Sequence, residues 1–108
     1  MYKVTIHNLK GAVLPSKSYD FRSDRKSPLG NPFFMKGEYE RHIVCDKYEE
    51  YFNKKALYNQ SVKVYLNKIL TELKTNGKVR LFCWCAPKRC HCETIKKWLL
   101  EEVQDGNT

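Results

Sequence analysis

The chain has 108 residues, 42% hydrophobic and 13% aromatic, enough for one packed domain and too apolar for a disordered one. No apolar run approaches the roughly 18 residues a membrane span requires, and five cysteines gathered mostly in one turn exclude a disulfide framework. The net charge of +8 favours anionic partners: nucleotides, phosphorylated small molecules or nucleic acid.

That charge is not a basic tail. Residues 1–42 carry eight basic and four acidic side chains, residues 43–82 eight and four, and residues 83–108 four and four. The competing reading is a lysine-rich solvated surface. Met1 to Ile6 lacks the charged start and apolar stretch of a signal peptide, so a reducing, cytoplasmic setting is expected.

Along the chain, Tyr2, Val4 and Ile6 alternate with Lys3, Thr5 and His7, which predicts a half-buried strand. Residues 8–37 are punctuated by Gly11, Pro15, Pro28, Gly30, Pro32 and Gly37, and read as a long loop with a short strand near Tyr19–Phe21. A loop this long in so small a domain is commonly functional. Val44, Tyr48, Tyr51 and Phe52 predict a helix from about Tyr39 to Leu57. Asn59–Ser61 offers a cap for a second helix, striped by Val62, Tyr65, Leu66, Ile69, Leu70 and Leu73 and ended by Asn76-Gly77. Lys78–Trp84 reads as a strand, and a last helix is expected from Cys90 to Val103, with residues 104–108 frayed. The sum is a single α/β domain over 1–108: a small Rossmann-like open sheet, mostly parallel, covered by about three helices. In such sheets ligands collect beyond the carboxyl ends of the strands.

Two segments carry chemistry. Cys83-Trp84-Cys85-Ala86-Pro87-Lys88-Arg89-Cys90-His91-Cys92 places four cysteines and a histidine on a strand-to-helix turn. Backbone N–H groups and the dipole at the helix start lower a thiol's pKa and attract anions there. Three functional readings stay open: an anion cradle built from Arg89, His91 and the helix start; a nucleophilic Cys85 or Cys90 with His91 as acid or base; and a zinc site drawn from Cys83, Cys85, Cys90, His91 and Cys92. Zinc normally takes two ligand pairs separated by a longer loop, which this compact cluster lacks. The structural alternative makes these cysteines small core residues.

The second segment is Ser27-Pro28-Leu29-Gly30-Asn31-Pro32-Phe33, preceded by Arg25 and Lys26. Two prolines stiffen it, Gly30 permits close backbone approach, and Ser27 and Asn31 offer hydrogen bonds, which suits a pocket wall. The structural alternative plugs Leu29 and Phe33 into the core. His7, His42 and Cys45 read as ordinary surface or core residues, the aromatics Tyr48, Tyr51, Phe52, Tyr58 and Tyr65 as core, and Glu93 as a helix-dipole partner.

Together these segments resemble the small phage and bacterial family catalogued as a domain of unknown function, number 4326, whose members pair R-x-SP…GNPF with CWCAP-x-x-CH. The match runs through Arg25, Ser27, Pro28, Gly30, Asn31, Pro32 and Phe33, then the helix spacing Arg41, Val44, Tyr48, and ends in Cys83 to Pro87, Cys90 and His91. The residue after the CH pair is usually small in that family and here is Cys92. The resemblance implies a Rossmann-like domain, in a bacterial or phage-infected cell. In it Arg25, Ser27, Gly30, Asn31, Pro32, Arg41, Arg89 and His91 would line one pocket for an anionic nucleotide-like ligand or a nucleic-acid end. Hydrolytic or glycosidic cleavage by Cys85, Cys90 or His91 is an open extension. The rival is a zinc-stabilised, non-catalytic adaptor for protein or DNA.

Overall fold

A computed structural model of the chain describes residues 1–12 and 16–105. Its strands are β1 (Lys3–Asn8), β2 (Asp20–Arg22) and β3 (Lys78–Cys83), and its helices α1 (Arg41–Lys54), α2 (Gln60–Asn76) and α3 (Cys92–Asp105). The strands form an open sheet in the order β1-β3-β2, with both pairings parallel. Val4 lies opposite Val79, and Ile6 and Phe21 flank Leu81 on its two sides. The expected α/β architecture is present: a small parallel sheet with three helices. No helix among the described residues is long and apolar enough to cross a membrane.

The central strand explains the layering. Val79, Leu81, Phe82 and Cys83 are all buried, so β3 is covered on both faces, as parallel strands usually are. The core joins Tyr48 and Phe52 of α1, Leu66, Ile69 and Leu73 of α2, and Ile95, Leu99 and Val103 of α3. Leu29, from the proline-rich segment, is buried with them, while Phe33 is only half-buried and meets Tyr51 edge-on. Of the aromatics expected in the core, Tyr48 and Phe52 are fully buried, Tyr51 and Tyr65 half-buried, and Tyr58 lies outside, 75% exposed.

Element ends follow local chemistry. Asn59 caps α2, its Oδ1 accepting from the Val62 N–H at 3.2 Å, and Gly77 closes it in the left-handed region at φ 79°, its N–H returned to the Leu73 carbonyl. The first helix is shorter than its periodicity suggests, because Glu38–Glu40 and Ala56–Tyr58 tighten into 3-10 turns at either end. The last helix starts at Cys92 instead of Cys90, leaving Cys90 and His91 in an i to i+3 turn before it. It continues to Asp105, so the expected fraying at 104 and 105 is not found; residues 106–108, like Pro15, lie outside the described residues.

One buried carboxylate ties the edge strand β2 to the centre. Asp20 is 5% exposed and accepts from Arg80 Nε at 2.5 Å and Nη2 at 2.7 Å, from Ser16 Oγ at 3.0 Å and from the Lys17 N–H at 3.2 Å. Burial alone would raise its pKa, but the hydrogen bonds from Arg80 and Ser16 outweigh that and hold it below the ordinary carboxylate value. A carboxyl held low in the fold adds stability that is complete above its unfolded pKa and is lost as pH falls through the folded one. Asp20→Asn should therefore cost about 2 kcal/mol in urea denaturation at neutral pH. The gap to wild type should narrow below about pH 4.

Candidate functional site

The proline-rich segment builds itself before it faces anything else. Ser27 Oγ donates to the Asp24 carbonyl at 2.8 Å and accepts from the Leu29 N–H at 3.3 Å, while the Gly30 N–H returns to the Ser27 carbonyl. Gly30 passes so close to the preceding chain that a Cβ there would stand 2.5 Å from Arg25 Cα. The Arg25 guanidinium then straps the far half, donating to the carbonyls of Asn31 at 2.9 Å and Phe33 at 3.1 Å and stacking 4.0 Å from the Phe34 ring centroid. Asn31 Oδ1 accepts from the Phe33 N–H, so its amide nitrogen is the end left for other partners. Beneath, the buried Tyr48 hydroxyl donates to the Leu29 carbonyl at 2.8 Å.

The cysteine-histidine turn is held from outside. Asn8 Nδ2 donates to the Ala86 carbonyl at 2.7 Å, and the Leu9 N–H reaches the Cys83 carbonyl at 2.8 Å. Arg41 of α1 donates through Nη1 to the Arg89 carbonyl at 2.9 Å, its Nε and Nη2 engaging both oxygens of Glu38. That pairing holds the Glu38 carboxyl down at about 2. Glu93 reaches back to accept from the Cys90 N–H at 3.2 Å, a capping-box contact in keeping with its expected place at the helix start.

His91 joins the two segments. It is 6% exposed, its ring lies edge-on to Tyr48 at 4.9 Å, and its Nε2 donates to the Ser23 carbonyl, 68 positions away in the chain. That bond fixes the tautomer with the proton on Nε2, and burial pushes the imidazole pKa below its ordinary value, so the ring is neutral. Ser23 itself sits at the end of β2, its N–H bonded to the Phe82 carbonyl.

The thiols divide into groups. Cys83, Cys90 and Cys92 are buried with their sulfurs all within 4.8 Å of one another, and Cys83 Sγ lies 3.3 Å from Cys90 Sγ. The arrangement can hold a metal ion. Hydrogen bonding among the clustered thiols depresses the Cys83 pKa and raises those of Cys90 and Cys92. Cys85 is half-buried and also meets Arg41. Cys45 is buried apart from them, and burial raises its pKa.

Between the segments lies a cavity of about 480 Å³. Asp24, Arg25, Lys26 and Asn31 line one side, with Phe33, Phe34 and Met35 beside them; Arg41, Val44 and Cys45 come from α1, and Trp84, Cys85, Cys90 and His91 from the turn. Asp24 is already neutralised: Arg22 grips it at 2.7 and 2.8 Å, the Trp84 indole N–H donates to it at 3.1 Å, and those contacts lower its pKa.

Of the residues expected to line one pocket, Arg25, Asn31, Arg41 and His91 do so. Ser27, Gly30 and Pro32 are not in the lining; Ser27 and Gly30 are spent on building the loop, and Pro32 is exposed. Arg89 also points elsewhere, pairing with Asp46 at 2.9 Å and with His42 at 3.0 Å on the outer side of α1. His91 does not turn its Nε2 toward the thiols, so the zinc set loses its only nitrogen ligand at that atom. Among the three residues expected to react, Cys90 spends its thiol on Cys83 and His91 its Nε2 on Ser23, leaving Cys85 beside Arg41. The sequence reading leaves Phe34 and Trp84 out of the pocket and takes Cys45 as a core residue; Cys45 is buried and also lines the cavity. An exposed tryptophan at the end of a buried strand was the available clue, since Trp84 is 60% exposed directly after Cys83.

The chain belongs to the family described as Domain of unknown function (DUF4326), which it matches over residues 4–101. No curated protein and no solved structure matches it.

Gly30→Ala should cost about 2–3 kcal/mol in urea denaturation, since the clash is with backbone and nothing flexible can yield. Gly37→Ala should stay within about 0.5 kcal/mol of wild type, because its Cβ would meet only the exposed Tyr39 ring.

Proposed function

We propose that this member of the family binds a small anionic nucleotide in the cavity between its two motifs. The observation that carries the reading is the cavity itself, which joins the Asp24–Met35 segment to the Trp84–His91 turn. Its volume of about 480 Å³ falls within the usual range for small-molecule sites. Aromatic and cationic groups divide the lining in the way a nucleotide would use. Trp84 and Phe34 are exposed at 60% and 76%, and offer faces on which a base can stack. Lys26 has no ion pair or hydrogen-bonded acceptor among the described side-chain contacts and supplies a cation for phosphate, with Arg25 and Arg41 adding to the field. The Asn31 amide nitrogen is the donor that would read a base carbonyl or a phosphate oxygen. The net charge of +8 would steer such an anion toward the protein.

Binding is the core of the proposal, and cleavage would be a further step. Cys85, which lines the cavity beside Arg41, would be the candidate nucleophile of that step.

Nucleoside monophosphates and dinucleotides, titrated in turn, should quench tryptophan fluorescence through Trp84 and raise the Tm; at one hundred times Kd the added stability is about 2.7 kcal/mol. Trp84→Phe should remove the quench while leaving the thermal shift. Lys26→Ala should weaken binding about five- to tenfold, the loss of one charge-assisted contact. If no mononucleotide or dinucleotide moves either signal, the proposal fails. A 5′-phosphorylated oligonucleotide that binds with steep salt dependence where the mononucleotides do not would transfer the site to nucleic-acid ends.

A further inference from the structure

We propose that Cys83, Cys85, Cys90 and Cys92 together hold one zinc ion as a structural centre behind the cavity floor. The site does not rest on the nucleotide reading, but it shares Cys85 and Cys90 with the cavity lining, and zinc on Cys85 would leave that thiol no nucleophilic role.

Three of the four sulfurs already stand where such an ion needs them. In a tetrahedral thiolate site with Zn–S bonds near 2.3 Å, sulfurs are separated by roughly 3.7–3.8 Å. Those of Cys83, Cys90 and Cys92 lie within 4.8 Å of each other, the Cys83–Cys90 pair at 3.3 Å. Cys85 stands outside that close group, two residues after Cys83 and on the cavity side, and would complete the set by turning its thiol inward. The linear C-x-C spacing looks wrong for zinc only if the ligands share a hairpin. Here they come from three places: the end of β3, the turn after it and the first residue of α3. That turn is fixed by groups that are not thiols, the Asn8 amide on Ala86 and the Arg41 guanidinium on Arg89, so the cluster is preformed.

A second observation points to thiolates at this spot. The Ser23 hydroxyl is fully buried with no hydrogen-bond partner, the one such side-chain atom among the described residues. Its neighbour is the Cys92 sulfur. A neutral thiol is a weak acceptor, whereas a metal-bound thiolate would accept the Ser23 O–H and settle that polar atom. Charge is compensated as well: four thiolates and one Zn²⁺ leave two negative charges, facing Arg41 beside Cys85 and the N-terminal end of α3. Each ligating thiol gives its proton to solvent as its sulfur bonds the ion, and the ion keeps its oxidation state.

The test is a metal count on protein purified reduced and without chelator. One zinc per chain is expected, and cobalt in its place should show thiolate-to-metal charge transfer and the visible bands of a tetrahedral site. Cys83→Ser and Cys92→Ser should lose the ion, Cys45→Ala should keep it, and Cys85→Ser should release it faster to a chelator. Should the serine variants fail to fold, zinc titration of reduced apo wild type decides, with between about three and four protons released per ion. Wild type that takes up no zinc, zinc that persists without Cys83 and Cys92, or a Cys83–Cys90 disulfide in protein kept reduced would each overturn the proposal.

Discussion

The bond from His91 to the Ser23 carbonyl is the constraint on which the site depends. It joins the turn after the central strand to the end of the edge strand, and it does so inside the protein, where a lost partner leaves a buried polar group unsatisfied. Around it, Tyr48 packs against the imidazole and anchors Leu29 from below, so helix, loop and turn share one small contact. The cavity exists because these three pieces are held together at their bases and diverge above.

Arg41 plays a comparable part on the other side. A guanidinium that satisfies a carboxylate with two nitrogens and a backbone carbonyl with the third is a rigid bracket, which lysine could not reproduce. Its half-buried guanidinium also stands beside Cys85, and both line the same cavity. The same cation thus holds the turn and forms part of the cavity wall.

Regular elements were legible in the sequence where periodicity and caps agreed. The stripe from Val62 to Leu73, bracketed by Asn59 and Gly77, is an example, since each local preference there points the same way. The pairing of the two motifs around a common space was also legible, through Arg25, Asn31, Arg41 and His91. Side-chain direction in irregular chain was not. Ser27 and Gly30 look like ligand groups because polar and small residues are used for both purposes, and only the turn they close shows which applies. Arg89 follows a turn whose exit angle depends on α1, and it finds Asp46 there. The cysteine cluster was legible as a candidate zinc set, but which of its members converge was not, because Cys83, Cys90 and Cys92 come from strand, turn and helix, a relation that no one-dimensional spacing encodes.

The sheet topology has a consequence for how the molecule comes into being. Among the described residues both outer strands pair only with β3, Lys3 lying opposite Lys78 and Asp20 opposite Arg80. A nascent chain leaving the ribosome therefore carries both strands without their partner until Lys78 and the residues after it have been synthesised. When β3 arrives it brings the sheet and, at its last residue, the first cysteine of the cluster. Assembly of the framework and assembly of the thiol site are thus one late event, set by the order of translation.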